Sequence, residues 1–208
     1  MGLFNKSVKQ KRHKGLIGYF GLSEWWESEF SDEEKVKILK TYQPLGMSGP
    51  ESLLYYNIYE SSHSELKFLT ILSGWFDNQN DRNIARKIIT KAGEFANDSG
   101  NILDLHFYYL AQININYKER ESSSEALNQA IEFCKKQIEI APGVKEAMIK
   151  EYNDGFLPSH SGFKQLAIIE EKNGNYNSAI ELSTEALNQG WNGDWEKRIE
   201  RCKRKLIQ

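Results

Sequence analysis

Cysteine is close to absent: Cys134 and Cys202 are the only two in 208 residues. They are too few and too far apart for a disulfide framework, and two free thiols fit a reducing, cytoplasmic setting. Long hydrophobic runs are missing as well. No window of about 18 apolar residues exists, which excludes a membrane-spanning helix and predicts no membrane partner. The lysines near the N-terminus are followed only by GLIGYFGL, which glycines interrupt and which has no small-residue cleavage site, so no secretory leader is expected. No Ser or Thr stands four residues after Gly2, so no myristoyl group is expected either. Charge of one sign is lacking too: 27 Lys and Arg against 29 Asp and Glu leave a net charge of −2, which demands no polyanionic partner.

Catalytic and metal signatures are equally scarce. His13, His63, His106 and His160 have no metal-ligand spacing with one another or with either cysteine, and neither HExxH nor CxxC occurs. The glycines of SGWFDN and GLIGYFGL do not form GxGxxG or GK[ST], the arrangements that cradle phosphates. His160, beside Ser159, is expected at a helix start in a capping or surface role, and His106 is expected as a partly buried structural histidine. The reading is therefore of a protein without metal or cofactor, and not of an enzyme.

What is present is 39% hydrophobic and 12% aromatic residues, enough for a folded protein with a sizeable core. Residues 1–14 carry Lys6, Lys9, Lys11, Arg12 and Lys14 without apolar periodicity and are expected to form a mobile basic tail. Residues 15–60 form an N-terminal helical segment. There, Ser23 is expected to cap a helix carrying Trp25, Trp26 and Phe30, and Ser31 with Glu34 makes a capping box for a helix striped by Val36, Ile38, Leu39 and Tyr42. QPLGMSG is a break, after which SLLYYNIYESS is expected to be helical.

Residues 62–207 show an internal pattern. In FKQLAIIEEKNGNYNSAIELSTEAL, bulky Phe163 and Leu166 precede small Ala167 on one helix. Gly174 and Tyr176 mark a turn, and small Ala179 and Ala186 follow on a second helix. Small side chains let two helix backbones approach closely while the bulky ones fill the wedge between them. The segment resembles a tetratricopeptide repeat. Two weaker copies carry the same alternation: Leu69, Leu72, Ser73 and Phe76 with Ala85, Ile89 and Ala92, and then Tyr108, Leu110 and Ala111 with Ala130, Ile131 and Cys134. In the second of these the turn is lengthened by ESSS, and Pro142 closes it. A further short helix is expected between Pro142 and Pro158, and NGDWEKRIERCKRKLIQ reads as a capping helix with Trp195, Ile199 and Cys202 inward. Its glutamates are expected to pair with its own basic residues at helical spacing.

This resemblance implies an all-α fold, a right-handed α-α superhelix of antiparallel helix pairs, irregular, with helical caps at both ends. It also implies a scaffold of bacterial or phage type that binds a protein or peptide in its concave groove. Helical register turns Lys67, Thr70, Gly74 and Asn78 into that groove from the first copy, Tyr108, Gln112 and Asn116 from the next, and Lys164, Ile168, Glu171 and Lys172 from the last. Thr70 and Gly74 stand where related repeats begin a carboxylate clamp with Lys and Asn, which speaks against a chaperone-tail receptor. Two alternatives remain. One is a nucleic-acid-associated regulator using the basic tail, disfavoured because no aromatic residue interleaves with Lys6 to Lys14. The other is a self-assembling protein or homodimer, suggested by Trp25, Trp26, Trp191 and Trp195 near the two ends.

Overall fold

The structure, a computed structural model, describes residues 13–152 and 155–207. The fold is all-helical: 69% of the described residues are in helices, no strand occurs among them, and helices pack in neighbouring pairs. Two compact units divide the chain, one up to Glu65 and one from Leu66 onward.

The first unit contains α1 (Gly15–Tyr19), α2 (Ser23–Glu29), α3 (Asp32–Thr41) and a single π-helical turn, Glu51–Tyr55. Ile17, Trp26, Ile38 and Leu53 are fully buried, as a core of this size requires. The capping box forms as expected: the Ser31 hydroxyl accepts from the Glu34 N–H at 3.2 Å, and the Glu34 carboxylate accepts from the Ser31 N–H at 3.0 Å. Val36 departs from the expected stripe and is exposed. Ser23 does not cap α2. It is the first residue inside the helix, and its hydroxyl accepts from the His13 N–H at 3.1 Å.

Residues 1–12 of the expected tail lie outside the described residues, whereas His13 and Lys14 are built into the fold. The His13 ring meets the Glu27 carboxylate at 2.6 Å, and the Lys14 N–H donates to the Leu54 carbonyl at 3.0 Å. The helix expected over SLLYYNIYESS is restricted to the π-helical turn. The Leu54 and Tyr56 carbonyls, which a continuing helix would aim at its own N–H groups, instead accept from Lys14 and Gly15. Gly15 is required at this junction: its φ is +57°, and a Cβ there would come within 2.3 Å of the Leu53 backbone.

The second unit runs through α4 (Glu65–Gly74), α5 (Arg82–Gly93), α6 (Ile102–Tyr117), α7 (Ser124–Glu139), α8 (Ala141–Tyr152), α9 (Ser161–Lys172), α10 (Tyr176–Gln189) and α11 (Trp195–Ile207). Side chains start several of these helices by accepting from their free N–H groups. Asn101 accepts from Leu103 and Asp104, Ser123 from Ala126, and His160, through its ring, from Phe163. Gly190 ends α10 in the left-handed conformation, with φ +86°.

Consecutive helices pair as α6 on α7, α9 on α10 and α10 on α11, and α7 packs on α9. Polar contacts fix their directions. Arg86 near the start of α5 reaches Asn116 near the end of α6, and Gln137 near the end of α7 donates to the His106 carbonyl near the start of α6. α5 and α7 thus each run antiparallel to α6. Ala130, Ala167, Ala179 and Ala186 are fully buried, where a larger side chain would push helices apart.

A core of Ala141, Val144, Met148, Leu157, Phe163, Ala186, Trp191 and Trp195 draws α8 and the residues around α11 onto α9 and α10. Trp26, Trp191 and Trp195 are fully buried and cannot serve as exposed self-assembly contacts, whereas Trp25 is half-buried. Among the described residues no helix is long and apolar enough to cross a membrane.

Candidate functional site

α4 and α6 together line an open groove of about 260 Å³ in the second unit. α4 contributes Thr70, Ile71, Ser73 and Gly74, and α6 contributes Phe107, Leu110, Ala111, Asn114 and Ile115. Spacings of three and four bring the α6 set onto one helical face. Ile71 and Phe107 are each 41% exposed, so two large apolar side chains stand partly in water at the groove, with Trp75 nearby in sequence and similarly exposed. At one end the ends of the two helices are tied together. Lys118 Nζ donates to the Asp77 carboxylate at 2.5 Å and to its backbone carbonyl at 3.1 Å. The ends of α4 and α6 therefore lie on the same side, so these two helices run parallel.

The groove's lining is mostly apolar with a few polar groups. Its polar members are hydroxyls, one amide and one carboxylate, and the Thr70 hydroxyl and the second Asp77 oxygen are buried without a partner among the described residues. Buried polar atoms of this kind are completed by a hydrogen-bonding ligand or by water.

Of the expected groove residues, only Thr70 and Gly74 line this cavity. Lys67 is half-buried on α4. Asn78 lies beyond α4 in the turn, where its side chain accepts from the Asn80 and Asp81 N–H groups and donates to the Asp81 carboxylate at 3.0 Å. Tyr108, Gln112 and Asn116 are buried and correct the expected register of α6. Gln112 donates to the Tyr108 hydroxyl at 2.8 Å, and Asn116 donates to the Gln112 backbone and side-chain carbonyls at 2.8 and 3.2 Å. Arg86 then donates to Asn116 and pairs with Glu119. This ladder joins α5 to α6, and burial pushes the Tyr108 hydroxyl pKa up, with the Gln112 hydrogen bond opposing the shift.

On α9, Lys164 is exposed, Ile168 is half-buried, and Lys172 reaches the Tyr117 hydroxyl at 3.4 Å. Glu171 anchors α11. It accepts from Arg201 at 2.7 and 2.8 Å and from Arg198 at 2.8 Å, and these partners, the Arg201 hydrogen bonds foremost, hold its carboxyl below the usual range. Arg198 and Arg201 of α11 therefore pair across to α9. Of the residues missed by sequence reading, Phe107 and Ala111 sit one position, and Leu110 and Asn114 two positions, from the expected set on the same helix.

His106 and His160 form a second polar cluster, with ring centroids 5.3 Å apart and Trp191 beside both. Burial pushes His106 down to about 4. Burial, then the neighbouring His106, pushes His160 down to about 3. Both rings are neutral at pH 7, and His160 is a buried helix cap and not a surface residue. Cys134 is fully buried, and burial raises its thiol to about 12, which leaves it inert as a nucleophile. Against protein-family models, curated proteins and solved structures the chain has no match, so its functional reading rests on its own residues.

Proposed function

We propose that the chain is a helical-repeat scaffold that binds a protein partner by taking an apolar side chain into the groove between α4 and α6. The observation that carries this reading is the groove itself, about 260 Å³ and edged by the partly exposed Ile71 and Phe107. Apolar side chains held partly in water at a concavity gain from burial on binding, on the order of 25 cal/mol per Å² removed from water. The parallel run of α4 and α6, the antiparallel helix pairs and the buried alanines support a tetratricopeptide-like arrangement in which the first helices of successive pairs form the binding face. Hydroxyl, amide and carboxylate groups in the lining suit orientation of a bound segment, and the reading assigns the chain no reaction. Two free, buried thiols support a cytoplasmic setting.

Ala111→Trp fills the groove and Phe107→Ser strips its apolar edge, while both positions lie outside the fully buried core. Proteins captured from extract of the source cells by the unaltered chain should be lost with both variants at unchanged melting temperature. An identical captured set would remove the groove from the function.

A further inference from the structure

The first unit holds a separate concavity of about 530 Å³, formed largely by the segment that follows α3. Its size is that of a ligand site. Tyr42 is a buried part of the lining and shares a hydrogen bond with Ser52. Tyr56 and Tyr59 also line it and are 58% and 91% exposed. Pro44, Asn57 and Glu60 complete the chemistry that matters, and Glu60 is the one carboxylate among the lining residues.

Tyrosine, serine and asparagine carried on an irregular segment are the composition of a recognition surface. The rings supply rigid contact area at small entropic cost, and the polar groups supply adaptable hydrogen bonds. Tyrosine hydroxyls and the Asn57 amide can donate, so a ligand should present outward carbonyl acceptors. The rings call for flat apolar faces, and Glu60 calls for a cation. A polyproline II segment has no internal hydrogen bonds, leaves its carbonyls free, presents pyrrolidine faces and is already extended before binding.

We infer that this pocket binds a proline-rich peptide carrying an arginine or lysine, with Tyr56 and Tyr59 holding the proline rings and Glu60 the cation. The inference is independent of the groove between α4 and α6.

The test titrates three fluorescein-labelled ten-residue peptides into the full chain and follows anisotropy: nine prolines with one arginine, ten prolines, and a glycine-serine peptide with one arginine. The arginine-proline peptide should bind tightest and the glycine-serine peptide should not saturate. Tyr59→Ala should weaken the first by about tenfold or more, as loss of an aromatic anchor does. Tyr59→Phe should retain most of the affinity, and Glu60→Gln should reduce the arginine-proline peptide to the level of ten prolines. Since Tyr59 is so exposed, its replacement leaves the melting temperature unchanged. Equal affinity for proline and glycine-serine peptides, no saturation by any of them, or indifference to both Tyr56→Ala and Tyr59→Ala overturns the inference. So does loss of binding in Ala111→Trp with Tyr59→Ala unaffected, which would move the peptide to the other groove.

Discussion

His106 and His160 set a pH limit on the second unit. Their folded-state pKa values, about 4 and about 3, lie below the ordinary value of 6.5, so the unfolded chain takes up protons that the folded chain refuses. Stability contributed by the neutral rings is complete above about pH 6.5 and is lost as pH falls below it, by about 1–2 kcal/mol per histidine at pH 5. Urea unfolding at pH 7.5 and pH 5 should show this loss, and His106→Leu should shrink the difference between the two pH values. An unchanged difference would mean that His106 is protonated without penalty. The capping role of His160 was legible from its place before a helix. Its full burial was not, because Trp191 and Gln137, which surround it or bond its neighbour Gly162, are distant in the chain.

At the scale of elements, legibility followed amphipathicity. α5, α10 and α11 have one buried and one solvated face, so Ala85, Ile89, Ala92, Ala179, Ala186 and Cys202 were recognisable as inward residues. α6 is different. It is packed on most sides, by α5, α7, α8 and α9, and its buried face carries polar side chains, so periodicity could not tell the groove face of Phe107 and Ala111 from the buried face of Tyr108 and Gln112. Glu171 was misread for a related reason: its partners Arg198 and Arg201 come from another helix, beyond the reach of spacing rules. Glu171→Ala should lower stability by about 2–3 kcal/mol, since Arg198 is buried and would lose its counter-charge. A shift of the urea midpoint smaller than that of an exposed control such as Glu181→Ala would refute this anchoring role. Ala179→Leu should cost about 1–3 kcal/mol by forcing α9 and α10 apart. A stabilised variant would show spare room at that contact.

For the molecule as a whole, the two proposed recognition surfaces fall one in each unit. The second offers an apolar groove between parallel helices, and the first offers a tyrosine-lined pocket on an irregular segment. The all-helical character and the α9–α10 helix pair were readable because small and bulky residues alternate locally in FKQLAIIEEKNGNYNSAIELSTEAL. The tyrosine pocket was not, since YYNIYESS has helix-compatible residues, yet the chain turns extended at Tyr56, whose carbonyl accepts from the distant Gly15. The reading of a protein-binding groove is tested most directly by a photo-crosslinking amino acid placed at exposed Asn114, within the groove, and separately at exposed Glu181 on α10. Irradiation in the source cells should give a discrete protein adduct from position 114 and none from position 181. No adduct from 114, the same adduct from both positions, or only a second copy of this chain would contradict it.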